Sequence, residues 1–457
     1  MTHSEIEPYF KGKRITVMGL GLLGRSLSVI QFLYSMGAEL TVTDLKTAEQ
    51  LAPSVKKLQK FPGIKFVLGE HRTEDFTNTD MLLRAPNAPL NSPYVAAAKA
   101  AGVPVEMDAS LFTALVPEGV NIIGITGTRG KTTTTHLIAA LLKAARKRVH
   151  VGGNIRGGST LPLLLKVKRG DYVVLELDSW QLQGFAERQM SPHISVFTSF
   201  MDDHVNYYVQ NADDTAERAT GMARYFEDKS AIFSFQKPGD FCVIHEKVVY
   251  EHLIHTKAKM VRFSVRTVPK SWKLKMAGGH NRENAGAALE VAHVLNISDT
   301  ISKKLFESFS GVAGRQELVR IVRGVKYIND TTATTPDASM IAMKTLAPKK
   351  GKRIILIAGG ADKKLDYALW GKAVEQYAKA VVLFRGTASE KIEAAIVDPT
   401  VVVAKECASM ADALAAARSV AEKGDIVLLS PAAASFGVFT HEYDRGDQFV
   451  DAVNKLK

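Results

Sequence analysis

Residues 121–133 read Asn-Ile-Ile-Gly-Ile-Thr-Gly-Thr-Arg-Gly-Lys-Thr-Thr, an apolar run that breaks into glycines and then into a lysine and two threonines. The isoleucine-rich first half suits a buried strand. Beyond it, Thr-His-Leu-Ile-Ala-Ala-Leu-Leu-Lys-Ala-Ala at 135–145 brings apolar residues back at helical spacing. A strand that passes through a glycine turn into a helix is a building unit of a parallel α/β sheet. The turn also has a chemical use. Backbone N–H groups around Gly127, Thr128 and Gly130 can cradle phosphate oxygens, and the Lys131 ammonium can reach the terminal phosphates. The hydroxyls of Thr132 and Thr133 open the helix, and that of Thr132 stands where a phosphate-bound Mg²⁺ would take an oxygen ligand. ATP and Mg²⁺ are therefore the expected ligands. The spacing departs from the usual phosphate loop, because Ile125 stands where the first glycine belongs. The plainer alternative is a glycine turn carrying a surface lysine.

Nearer the N-terminus a second glycine turn follows the strand-like Arg14-Ile-Thr-Val-Met. Gly19, Gly21 and Gly24 take the spacing of a dinucleotide-binding turn, and Asp44 follows about twenty residues on, at the end of ELTVTDL. A helical pattern (SLSVIQFLYSMGA) lies between, so this is a βαβ unit. It predicts a nucleotide-diphosphate site. Glycines kept for strand–helix packing alone, or an NAD site, are the competing readings. Further strand-like runs (IKFVLG, DMLLRAP, PVEMD) carry this part to about residue 108. VHVGG, YVVLELD and ISVFTSF extend the second part to about 311. VKYIND, KRIILIAGG, AKAVVLFRG, TVVVAKE and GDIVLLSPA form a third series. The pattern predicts three α/β domains: an N-terminal Rossmann-like domain at 1–108, a central P-loop ATPase domain with a mainly parallel sheet at 109–311, and a C-terminal Rossmann-like domain at 312–457.

The 457-residue length agrees with more than one domain. Hydrophobic content of 46% and charged content of 23% are those of an ordinary globular protein. The opening MTHSEIEPYFKGKR has no apolar stretch behind a basic start, and no run approaches the roughly 20 residues of a membrane span. The two cysteines, Cys242 and Cys407, make neither a disulfide framework nor a zinc site. A cytoplasmic protein is expected. Net charge is +12, which suits phosphorylated small molecules or nucleic acid, but the cations are scattered rather than gathered in one arm.

Further segments occur in a telling order: VGGNI (151–155), LELDSWQL (175–182), DDH (202–204), RYFEDKSAIF (224–233), GGHNRENA (278–285), GRQEL (314–318), INDTTATTPDA (328–338), GGADKKLD (359–366) and SPAAASFGVF…DRGDQF (430–449). With the GITGTxGKTT loop, they resemble the Mur ligase family from near residue 11 to the C-terminus. The resemblance implies an ATP-dependent amide ligase, in which a carboxylate attacks the γ-phosphate and an amine then displaces phosphate from the acyl-phosphate. The opening GLGLLGRS and the closing segment are most like the family branch that adds D-glutamate to UDP-N-acetylmuramoyl-L-alanine in peptidoglycan precursor synthesis. It implies small-molecule partners (that UDP substrate, glutamate and ATP), no nucleic acid, no membrane insertion and a monomer.

By the same resemblance Lys131, His204 and Lys229 are catalytic, with Thr132, Glu176, His204 and Lys229 (as a carbamate) around magnesium. Asn281, Asn284, Arg315 and Asp330 join the phosphate loop in holding ATP, and residues from beyond 311 imply domain closure before chemistry. Gly19, Leu22, Leu23, Asp44 and Asn154 face the UDP substrate. Thr334, Lys363, Ser435 and Phe436 form the amino-acid pocket. Three positions depart from the family pattern: Thr332 stands for a lysine, a family aromatic falls at Glu442 or Tyr443, and the substrate loop of the first domain reads Arg84-Ala-Pro-Asn. These departures leave L-glutamate or another amino acid open. A nucleotide-binding protein without catalysis is the rival of another class.

Overall fold

Buried strands dictate the architecture. In the computed structural model, which describes residues 3–22, 24–86, 88–201, 205–209, 214–248 and 250–457, seventeen strands lie in three sheets. The first holds β1 (Arg14–Met18), β2 (Glu39–Asp44), β3 (Lys65–Leu68), β4 (Met81–Arg84) and β5 (Val105–Glu106), all parallel, in the order β3-β2-β1-β4-β5. The second holds β6 (Asn121–Thr126), β7 (Val149–Gly153), β8 (Tyr172–Glu176), β9 (Ile194–Phe197), β10 (Phe241–His245) and β11 (Lys259–Phe263), again parallel, in the order β11-β10-β9-β6-β8-β7. Strands with helices on both faces read as unbroken apolar runs, as Ile122, Ile123 and Ile125 of β6 do. Two of these strands, β10 and β11, are additions to the sequence reading.

The third sheet is built from β12 (Glu317–Val322), β13 (Val325–Asn329), β14 (Ile354–Ala358), β15 (Ala378–Phe384), β16 (Val402–Cys407) and β17 (Ile426–Leu429), ordered β12-β13-β17-β14-β15-β16. It is parallel except at one edge, where β12 pairs antiparallel with β13. The central β14 is buried at every position.

The chain divides into two compact units, Met1–Leu274 with Gly279–Ser308, and Lys275–Gly278 with Phe309–Lys457. The first unit contains the first two sheets. One apolar cluster runs through both, from Ile6 and Phe10 to Phe233 and Val248, so burial fuses what the strand patterns separate. Polar contacts complete this seam. The half-buried Asp108 carboxylate accepts the N–H groups of Thr160 (2.7 Å) and Leu161 (2.8 Å), and Arg188 pairs with Glu106. Among the described residues no helix is long and apolar enough to cross a membrane.

Candidate active site

The phosphate loop is held by the strand next to it. Thr128 N–H donates to the carbonyl of Ser199 (2.8 Å), Arg129 N–H to Ser199 Oγ (2.9 Å), and Thr198 Oγ1 to the carbonyl of Arg129 (2.6 Å). Gly127 has to be glycine: at φ +138° a Cβ would lie 2.1 Å from Thr198 Oγ1. Gly130, at φ +86°, caps the helix Lys131–Ala144 without a side chain of its own. The helix N-terminus behind it carries the partial positive charge that favours phosphate. Lys131 folds back over the loop, its Nζ donating to the carbonyls of Gly127 (2.9 Å) and Thr128 (3.1 Å). Thr132 is half-buried in the first helical turn and Thr133 is buried.

A second lysine meets the same carbonyl. Lys229, near the end of the helix Thr215–Ser230, is 1% exposed, and its Nζ donates to the carbonyl of Gly127 at 3.0 Å. It also lies 4.8 Å from the centre of the Tyr225 ring. Burial thus places this ammonium under the loop and not at the surface. Glu176 ends β8 beside β6, buried, with Ile125 as its register partner. Its Oε1 accepts from Asn154 Nδ2 (3.4 Å), and Asn154 N–H donates to the Glu176 carbonyl (2.7 Å). Asn284, buried on the helix Gly279–Val294, lies against Gly130 and bonds Asn281 (3.4 Å) and Thr134 (3.5 Å). His204 and Leu23 lie outside the described residues. Among those described, no three His, Cys, Asp or Glu side chains gather as a metal cluster.

The first glycine turn is tied by its acid. Asp44 Oδ2 accepts the N–H groups of Leu20 (2.9 Å) and Gly21 (3.1 Å), so this carboxylate fastens the turn that the sequence reading gave it to read a ligand with. Gly19 packs on Ala85, where a Cβ would come within 2.9 Å, and Leu22 is half-buried. A residue missed in the sequence links this turn to the second sheet. Arg25 donates from Nη1 to Asn154 Oδ1 (2.9 Å), joining the turn through Asn154 to Glu176. Its signal was available: an arginine directly after the last glycine opens a helix at its positive end, where a cation is ordinarily disfavoured.

In the second unit three loops meet at strand C-termini. The loop after β13 reaches the loop after β14 through Lys363 Nζ, which donates to Thr334 Oγ1 (2.9 Å). Ala361 and Ala434 bridge the loops after β14 and β17, and Ala432 N–H donates to the Ala333 carbonyl (2.9 Å). Ser435 is buried and Phe436 is 60% exposed. Asp330 accepts from Ser430 Oγ (2.8 Å) and from the N–H of Gln316, the residue after Arg315 (3.1 Å); burial pushes its carboxyl up to about 7. Thr332, at the family's lysine position, donates its hydroxyl to the Gly314 carbonyl (3.0 Å). The sequence reading also missed Arg445. Fully buried, it donates to Thr331 O (2.8 Å), Thr331 Oγ1 (3.1 Å) and Ala433 O (3.3 Å), and burial lowers it to about 9. It lies within DRGDQF, but nothing in the pattern marks a buried cation.

A phosphate loop with two lysines and a buried carboxylate at the ends of parallel strands defines an α/β enzyme that handles nucleotide phosphates. Three family models place it more closely: a Mur ligase MurD-like N-terminal domain matches residues 13–106, a Mur ligase middle domain 125–292, and a Mur ligase glutamate ligase domain 314–433. The chain belongs to the Mur ligase family. It is 36% identical to the UDP-N-acetylmuramoylalanine–D-glutamate ligase of Roseiflexus sp. (strain RS-1), over 96% of this chain and 97% of that one. Identity to the enzyme of the same name from Borreliella afzelii is 35%, over 98% of each. Of solved structures, UDP-N-acetylmuramate–alanine ligase MurC from Thermotoga maritima superposes with a TM-score of 0.62 at 20% identity, covering 97% of this chain and all of that one. The MurF ligase of Thermotoga maritima, in complex with ADP, gives 0.54 at 15% identity, over 98% and 96%.

Proposed function

We propose that this chain catalyses the ATP-dependent joining of D-glutamate to UDP-N-acetylmuramoyl-L-alanine, a cytoplasmic step of peptidoglycan precursor assembly. The observation that carries the reading is the convergence of Lys131 and Lys229 on the Gly127 carbonyl. Two ammonium groups gathered at one carbonyl of a glycine turn suit the binding of a polyanion. A triphosphate on this loop is such a polyanion.

In the reaction, a terminal alanine carboxylate oxygen attacks the γ-phosphorus and the bond to the ADP oxygen breaks. The amine of glutamate then attacks the acyl carbon, losing a proton, and inorganic phosphate leaves. Lys131 stabilises the charge on the transferring phosphoryl group. The Thr132 hydroxyl and Glu176 carboxylate are hard oxygen donors suited to Mg²⁺, with His204 and a carbamylated Lys229 as further ligands. That ion, when bound, would neutralise phosphate charge. Carbamylation would also turn one of two crowded cations into an anion. Asn281 and Asn284 hold the nucleotide, assisted by Arg315 and Asp330. Gly19, Leu22, Leu23, Asp44 and Asn154 belong to the UDP-substrate side. Lys363 binds the incoming carboxylate, with Thr334, Ser435 and Phe436 around it. The reading takes domain boundaries near 108 and 311, and a monomer.

The test is phosphate release from ATP with UDP-N-acetylmuramoyl-L-alanine and a panel of D- and L-amino acids. Release with D-glutamate is expected. Release only with L-glutamate or another amino acid would move the specificity while leaving the reaction class. ATP left intact with every acceptor would overturn the reading. Lys131→Ala should lower the rate by about 10²–10³-fold or more, the usual loss for a transition-state donor.

A further inference from the structure

The seam between the first two sheets contains a buried charge that the ligase chemistry does not use. Arg84 ends β4 and is 1% exposed, away from solvent and away from the open loop where its place in Arg84-Ala-Pro-Asn would put it. Its Nη1 donates to the Ala88 carbonyl (2.5 Å), and its Nη2 donates to Gln183 Oε1 (2.9 Å) and Met107 Sδ (3.1 Å). Among the described residues no carboxylate bonds to it directly, and its buried Nε meets no acceptor. Such a cation costs stability, and an apolar side chain of similar size would often serve the fold as well or better.

The chain of contacts continues. Gln183, on the helix Ser179–Glu187, turns its Nε2 to Asp228 Oδ2 (2.7 Å), which also accepts the Tyr208 hydroxyl (2.8 Å). Tyr207, next along the short helix Val205–Tyr208, accepts the Leu90 N–H at its hydroxyl (3.4 Å). The first-domain loop 84–90 is thus tied at both ends to one group of residues. Asp228 immediately precedes Lys229 on the helix Thr215–Ser230. Successive helical residues point about 100° apart, so fixing Asp228 on one side fixes the rotation of the helix, and with it where Lys229 points.

We propose that Arg84, Gln183 and Asp228 are positioning residues: they lock the substrate loop of the first domain to the helix that carries Lys229, and so hold Lys229 Nζ on the phosphate loop. The inference rests on the ligase reading above. Its role is geometric, so losing a link should slow phosphoryl transfer while leaving the nucleotide's own contacts intact.

The experiment compares Arg84→Met, Gln183→Leu and their double variant in the full chain, with Asp228→Asn as a milder fourth. Each should lower kcat by about ten- to a hundredfold, the scale of a small misplacement of a reacting group, while KM for ATP stays within about twofold. The double variant should lose no more than the worse single, because links of one chain do not add. The melting temperature of Arg84→Met should match or exceed that of the parent. Three results would overturn the proposal: kcat unchanged in folded variants, losses that multiply in the double, or a kcat that falls only in step with the folded fraction. A parent that releases no phosphate with any acceptor removes the ligase reading and this proposal together. An active parent with indifferent variants removes this proposal alone.

Discussion

Gly130 lacks a side chain for two separate reasons. Its φ of +86° is in the left-handed region, and a Cβ there would stand 2.3 Å from Asn284 Oδ1. Gly130→Ala therefore has to strain the backbone and push away the Asn284 side chain at once. A loss of about 1–3 kcal/mol in stability is expected from the backbone strain, and KM for ATP should rise because the cradle opens. Thermal melting and a KM measurement check both, and an alanine variant with parental KM would refute the second. Asp330 gives a pH prediction. Its folded carboxyl titrates at about 7, while an unfolded aspartate titrates near about 4. The folded state holds a proton that the unfolded chain has released, so this group's contribution to stability falls as pH rises through that window. Asp330→Asn, which mimics the neutral acid, should gain melting temperature over the parent between pH 5 and 7, and the gain should level off above 7. A gain that is flat across that range would remove the assignment. At this scale the sequence was legible where chemistry needs a residue type, as at Gly127, Gly130 and Lys131. It was silent on burial. Nothing in RYFEDKSAIF distinguishes an outward lysine from one buried beneath a loop more than a hundred residues away.

Elements were readable where their apolar pattern was strong. The helix Ser179–Glu187 opens with a capping box: Asp178 accepts the Gln181 N–H (2.8 Å) while Gln181 Oε1 accepts the Asp178 N–H (3.2 Å). Asp178→Ala should lose about 1 kcal/mol, read as a lower melting temperature. Gln183 and Glu176 flank this cap, so an activity loss beyond the folded fraction is also expected. An unchanged melt would mean that the box contributes nothing. The strands that sequence reading passed over are informative in the same way. In β12, Leu318 and Ile321 are exposed at an antiparallel edge, so hydrophobicity there marks no core face. The Arg323-Gly324 turn that follows, with both residues at positive φ, was the available hairpin signal. The edge strand β11 is mostly exposed, and β10 is a five-residue run with no motif attached. Short edge strands owe their pairing to neighbours distant in sequence, and a local pattern does not carry that information.

At the scale of the whole molecule, the alternation of strand and helix predicted three α/β domains, and the described residues form three sheets. What local patterns do not contain is the apolar cluster that fuses the first two sheets into one unit. That partition divides the residues of the proposed site, with Arg315 and Asp330 of the proposed nucleotide set in the second unit. The phosphate loop, the Thr198 and Ser199 that grip it, Lys229, Glu176, Asn281 and Asn284 all belong to the unit that ends at Ser308, whereas Thr334, Lys363, Ser435 and Arg445 belong to the other. A chain ending at residue 308 keeps a continuous core, so it should fold and bind nucleotide. Nucleotide at a hundred times its Kd should then stabilise it by about 2.7 kcal/mol, seen as an upward shift in melting temperature. The same fragment should release no phosphate when UDP-N-acetylmuramoyl-L-alanine and D-glutamate are supplied, since every side chain proposed to hold the amino acid is missing. Turnover by the fragment would move the amino-acid site into the first unit. A fragment that folds but ignores nucleotide would show that the loop's own contacts are too weak to hold ATP without residues beyond 308.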